Sequence, residues 1–172
     1  MKKNEYKYNV QMNFPKEGVR FIDFMPLFMD YNAMNKVTEA MLEFVPDDTE
    51  VIIAPESRGF ILGTFIASKR KINLVPIRKH GKIPPDFVGA STKYETEYSV
   101  ETLDIPKVDI KDKKCCFIDD VYATGGTYKA CKELAEDLGG VMQRGVCLLD
   151  VGIVPKENEI VCMLEKEDVE GD

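Results

Sequence analysis

Tryptophan is absent from the 172 residues and histidine occurs once, so no cluster of imidazoles is available for metal binding or relay chemistry. Basic side chains are outnumbered, 23 against 30, which gives a net charge of −7 and a sequence pI of about 4.9. A chain of that charge lacks the basic face that non-specific nucleic-acid binding or an anionic membrane surface requires. The five cysteines, Cys115, Cys116, Cys131, Cys147 and Cys162, are odd in number and show neither C-x-x-C nor Cys/His ligand spacing. They read as reduced core thiols, and the expected compartment is the cytoplasm. The opening MKKNEYKYN is charged, with no apolar leader region behind it, and no stretch approaches the roughly 18 apolar residues of a bilayer span. Repeats, low-complexity tracts and long linkers are missing too, so a single domain over residues 1–172 is expected.

What is present is a good supply of core material. At 44% apolar residues and this length, a folded chain buries roughly 70% of its extended surface without staples. After residue 30, helical periodicity alternates with short β-rich runs, the arrangement of a central, mainly parallel sheet flanked by helices. Helices are expected over 32–45, 59–70 and 127–138, and strands over 50–54, 72–77, 113–118 and 145–151. Residues 78–106 differ. They carry glycine, prolines and charges, then the alternating run Tyr94, Thr96, Tyr98, Val100, which predicts a two-stranded excursion serving as a flexible β-lid.

The most informative run is CCFIDDVYATGGTYKACKELAEDLGG. An apolar strand delivers Asp119 and Asp120 to its carboxyl end, where ligands bind in open α/β sheets, and a glycine-bearing bend then opens a helix. In Ala123-Thr124-Gly125-Gly126-Thr127 the glycines allow close backbone approach, and consecutive N–H groups with the helix dipole suit a phosphate. A P-loop would need lysine after the second glycine, where Thr127 stands, and G-x-G-x-x-G is absent. Two adjacent carboxylates repel a phosphate, so they address hydroxyls or a divalent cation on the same ligand. A ribose 5-phosphate meets both requirements.

Residues 117–127, FIDDVYATGGT, resemble the phosphoribosyl-pyrophosphate motif of the type I phosphoribosyltransferases. The resemblance implies that family's fold, with residues 1–30 as a small N-terminal hood. It also implies ribose hydroxyls on Asp119 and Asp120, and the 5-phosphate on Ala123, Thr124, Gly125, Gly126 and Thr127. Glu56-Ser57-Arg58-Gly59-Phe60, after the apolar run 51–54, resembles the E-S-R-G-F signature of the adenine phosphoribosyltransferases. There the loop meets pyrophosphate, and a cis peptide is expected near Glu56-Ser57. Residues 75–82, VPIRKHGK, resemble the same group's V-P-I-R-K-x-G-K segment, which makes Arg78, Lys79 and Lys82 partners for the leaving pyrophosphate. His80 falls at the variable position and reads as a surface residue.

Tyr94-Glu95-Thr96-Glu97-Tyr98 resembles the Y-x-L-E-Y of that group's lid, which implies Glu97 as the catalytic acid or base and puts Tyr98 on the pyrophosphate side. Residues 14–27 resemble its hood, with Arg20, Phe21 and Ile22 against the base. Ile22 replaces the usual arginine, Glu17 a common proline, Pro85 a glycine and Thr96 a leucine or methionine. The resemblance covers about residues 14–151, and the last twenty positions add little to it. It implies ribose 5-phosphate transfer from phosphoribosyl pyrophosphate to adenine, with Mg²⁺ carried by the donor rather than by direct protein ligands, in a homodimer. Transfer to guanine, xanthine or orotate, or a non-catalytic sensor of the donor, are the alternatives left open.

Overall fold

The computed structural model describes residues 6–14, 16–95 and 100–169. Thr96, Glu97 and Tyr98 therefore lie outside the described residues, as does Pro15 of the hood motif. Two compact units are distinguished, residues 1–40 and residues 41–172.

In the first unit, β1 (Asn9–Met12) and β2 (Arg20–Asp23) pair antiparallel, with Val10 opposite Ile22 and Gln11 opposite Phe21. Phe14 meets Phe21 edge to face at 5.2 Å. A short helix α1 (Met25–Phe28) follows, and Asp30 then caps α2 (Tyr31–Leu42) by accepting the Ala33 N–H at 3.0 Å. Helix α2 ends three residues before the expected boundary. Phe44 and Val45 close a turn onto Met41 and Leu42 instead, ahead of Pro46, which cannot continue a helix.

The second unit holds a sheet ordered β5-β6-β4-β3-β7-β8-β9. Strands β3 (Val51–Pro55), β4 (Asn73–Lys79), β7 (Lys114–Tyr122), β8 (Val141–Asp150) and β9 (Ile160–Leu164) run parallel. β3 lies at the centre and is buried throughout, as expected of a continuous apolar run covered on both faces. Helix α3 (Arg58–Arg70) covers one face with Gly59, Leu62, Gly63, Ile66 and Ala67, a helical-period stripe. Gly63 permits that approach, since a side-chain carbon there would fall 2.8 Å from Ala54 Cβ. Burying Leu62 and Ile66 contributes roughly 1.5–3 kcal/mol each.

Helix α4 (Gly126–Asp137) covers the other face through Tyr128, Cys131, Leu134 and Ala135, and Tyr128 meets Phe117 edge to face at 5.4 Å. It ends where Gly139 turns to φ +79° and Gly140 N–H returns to Ala135 O at 2.9 Å. The cysteines are free thiols, four of them buried.

The expected two-stranded excursion is present as β5 (Val88–Glu95) and β6 (Val100–Pro106), paired antiparallel. It also extends the main sheet, because β6 pairs with β4 at Arg78–Asp104 and Lys79–Leu103 while burying Leu103 and Ile105. The C-terminal segment adds a strand and a helix for which the sequence sets no expectation. β9 pairs in register with β8, Cys147 opposite Cys162, and α5 (Lys166–Val169) follows. A five-residue apolar run is too short to announce itself, and it becomes a strand only because β8 offers an open edge.

Candidate active site

The carboxyl ends of β3, β4 and β7 carry every described site residue foreseen outside the hood, as the topology of parallel sheets leads one to expect. At the end of β3 the chain passes through a cis Glu56-Ser57 peptide, as foreseen, and enters α3 at Arg58. Glu56 Oε2 accepts Arg78 Nε at 3.0 Å and the Lys79 N–H at 3.1 Å. Partial burial pushes the Glu56 carboxyl up, but those two hydrogen bonds and the nearby charges of Arg78 and Lys82 outweigh it and hold it below its ordinary value. Glu56, Arg78, Lys79 and Lys82 thus form one charged group, with Lys79 Nζ turned to Glu101 Oε2 at 2.9 Å. Arg78 also lies 6.0 Å over the Phe60 ring.

At the end of β7, Asp120 is nearly enclosed and Asp119 half-buried. Arg58 Nε donates to Asp120 Oδ2 at 2.5 Å, and the Asp120 N–H donates to Asp119 Oδ1 at 2.9 Å. Loss of water and the neighbouring Asp120 charge push the Asp119 carboxyl well up from its usual range. Gly59 makes room for this arrangement. A side-chain carbon there would fall 3.0 Å from Asp119 Oδ1 and 2.8 Å from Pro55 Cδ.

Beyond the acid pair, Ala123 and Thr124 lead to Gly125, whose φ of +76° turns the chain into α4. Gly126 N–H lies 3.4 Å from Thr124 Oγ1, a long hydrogen bond that leaves the amide available to a ligand. The bend and the first turn of α4 place the free amides of a helix amino terminus beside the acid pair. Beside Thr124 and Gly126 lies a cavity of about 400 Å³ bounded by Lys93, Tyr94, Lys129, Ala130 and Glu133.

Among the described residues no group of three His, Cys, Asp or Glu side chains is placed to hold a metal ion. The chemistry of the acid pair fits hydroxyls or a cation already chelated by a polyphosphate, since one of the two carboxylates is engaged by Arg58. In the N-terminal unit, β2 carries Arg20, Phe21 and Ile22, and the Ile22 side chain is buried.

Three features went unnoticed in the sequence. Tyr94 of β5 hydrogen-bonds the Thr127 side chain, and burial first, then the Glu101 charge, push its phenol up to about 12. His80 does expose its ring, but it is not unattached: its Nδ1 lies 3.0 Å from Oδ1 of Asp104, a carboxylate only 1% exposed. Asp104 also accepts Ser91 Oγ at 2.7 Å and the Gly81 N–H at 3.2 Å. Tyr122, next to the bend, is the third. No local pattern marks any of them, because each partner is distant in sequence or was read only as part of a loop.

A strand-end acid pair, a glycine bend on a helix amino terminus and a cationic loop across the same sheet edge define a sugar-phosphate-handling α/β fold. The phosphoribosyl transferase domain family matches residues 32–163, and the chain belongs to that family. Within it, the likeness is to the adenine phosphoribosyltransferases. The enzyme of that name from Malacoplasma penetrans (strain HF-2) is 39% identical over 141 residues, 81% of each chain. The crystal structure of the Thermoanaerobacter pseudethanolicus adenine phosphoribosyltransferase superposes with a TM-score of 0.87 at 30% identity, covering 95% of this chain and 99% of that one. The Giardia lamblia enzyme, solved with 9-deazaadenine, gives a TM-score of 0.84 at 25% identity, covering 96% and 98%. No described helix is long and apolar enough to cross a membrane.

Proposed function

We propose that this chain transfers ribose 5-phosphate from phosphoribosyl pyrophosphate to adenine, giving AMP and pyrophosphate in purine salvage. The observation that carries the reading is the sequence of groups at the end of β7: a partly buried acid pair, then an amide-lined glycine bend, then α4.

Asp119 and Asp120 take the ribose hydroxyls, and Ala123 to Thr127 take the 5-phosphate through main-chain amides and the Thr127 hydroxyl. The loop at Glu56, Ser57 and Arg58, with Arg78, Lys79, Lys82 and Tyr98, receives the pyrophosphate. Arg58 and Arg78 are held by Asp120 and Glu56, which fixes the orientation of each guanidinium at the sheet edge. Mg²⁺, when chelated by the donor, would supply charge neutralisation at the pyrophosphate that Arg58, Arg78, Lys79 and Lys82 receive.

The reacting sugar carbon acquires oxocarbenium character as the bond to pyrophosphate lengthens, and no enzyme nucleophile is needed. Positioning and charge stabilisation at the leaving group supply the rate. Glu97 exchanges a proton with the base, a role that rests on the lid resemblance. Arg20, Phe21 and Ile22 read the base, partly through main-chain groups. Homodimeric assembly and a cytoplasmic location belong to the same proposal.

The test is pyrophosphate release by the purified protein with donor, Mg²⁺ and each base in turn. Turnover with adenine alone is expected. Turnover with guanine, xanthine or orotate instead overturns the choice of base, and donor binding without turnover on any base overturns the enzyme in favour of a sensor. Sedimentation decides the assembly.

A further inference from the structure

Tyr122, the last residue of β7, takes no part in the proposed reaction, yet it stands against the bend that does. Its side chain is 3% exposed and belongs to the core covered by α4. A side-chain carbon on Gly125 would fall 2.6 Å from Tyr122 Oη and 3.2 Å from its Cζ. The phenol end therefore lies directly against the Gly125 backbone, at the position that turns the chain into α4. The phenol oxygen also accepts a hydrogen bond from the backbone N–H of Glu157.

Glu157 lies in the connection between β8 and β9, and that connection is fastened to α4. The Glu157 carboxylate lies 3.4 Å from Lys129 Nζ. Glu159 Oε1 accepts Lys132 Nζ at 2.7 Å and Tyr128 Oη at 3.2 Å. The phosphate-binding bend is thus backed by one phenol, which is itself pinned to a loop tied to the helix the bend opens.

Amides that bind a phosphate act by direction, and Gly125 and Gly126 have no side chains of their own to fix that direction. Support must come from the residues behind it. We propose that Tyr122 is a positioning residue for the donor's 5-phosphate, setting where Gly125 sits and where the amides of residues 125–127 point. This deepens the reading above and rests on it.

Calorimetric titration of wild type and Tyr122→Phe with ribose 5-phosphate, and separately with pyrophosphate, tests the proposal. Losing the phenol oxygen removes one hydrogen bond and opens a gap behind Gly125. Ribose 5-phosphate affinity and the KM for the donor should weaken roughly three- to tenfold, the scale of one hydrogen bond. Pyrophosphate affinity and kcat should hardly change, and Tyr122→Leu should extend the same order. A residue that merely fills the core would lower the melting temperature without separating the two ligands. Equal ribose 5-phosphate binding by wild type and Tyr122→Phe overturns the role of Tyr122 alone. Failure of wild type to bind ribose 5-phosphate overturns the donor-site reading beneath it.

Discussion

Arg58 Nε and Asp120 Oδ2 meet at 2.5 Å, joining the first residue of α3 to an acid of β7 that is only 5% exposed at its side chain. The contact does two things at once. It compensates a carboxylate withdrawn from water, and it aims a guanidinium at the sheet edge.

Arg58→Ala should therefore lower both stability and donor affinity. Removing one partner leaves a largely desolvated charge, which costs about 3–5 kcal/mol in full burial. Arg58 is partly exposed, so about 1–3 kcal/mol is expected, read as a lower urea midpoint. Arg58→Lys should recover part of the stability and little of the donor affinity, because an ammonium lacks the planar fork.

Asp119→Asn should move stability and activity in opposite directions. The native carboxyl is held well above its unfolded value by burial and by Asp120, so the folded protein holds that proton at pH values where the unfolded chain has released it. Stability then falls as pH rises from the unfolded value toward the folded one, and the cost is fully present above the folded value. Asparagine carries no such cost. Its melting temperature at neutral pH should exceed that of wild type, while kcat/KM for the donor collapses. A lower melting temperature in Asp119→Asn would contradict the sign.

Asp104→Asn should behave differently. Burial raises the Asp104 carboxyl, but His80, Ser91 and the Gly81 N–H more than offset that and leave it below the usual value. The stability it contributes is present above the unfolded carboxylate value and is lost as pH falls through the folded one. The substitution should cost about 1.5–3 kcal/mol at neutral pH, since two side-chain donors and a backbone N–H lose an ionised acceptor. In acid the gap between the two proteins should close. Denaturation series at neutral pH and at a pH below the ordinary carboxylate range measure both.

Glu97→Gln removes the proposed proton exchange and should lower kcat by roughly 10² to 10⁴ while the donor Kd stays near wild type. An unchanged kcat would take Glu97 out of the mechanism.

The amino-acid sequence alone determined the alternation of strands and helices in the second unit and the bend at 124–127. Those features are encoded locally: an apolar run, an acid pair, two glycines and an amphipathic helix follow one another within about thirty residues. The cis Glu56-Ser57 peptide was legible only through resemblance. Tertiary structure alone decided what those groups touch. Arg58 reaches Asp120 62 positions away, Arg78 reaches Glu56 across β3 and β4, and His80 reaches Asp104 only because β6 lies against β4. Strand β9 and the ties from the β8–β9 connection to α4 have the same origin. Sheet register brings distant residues to one edge, and register depends on how whole strands bury their faces together, which no single stretch of chain displays.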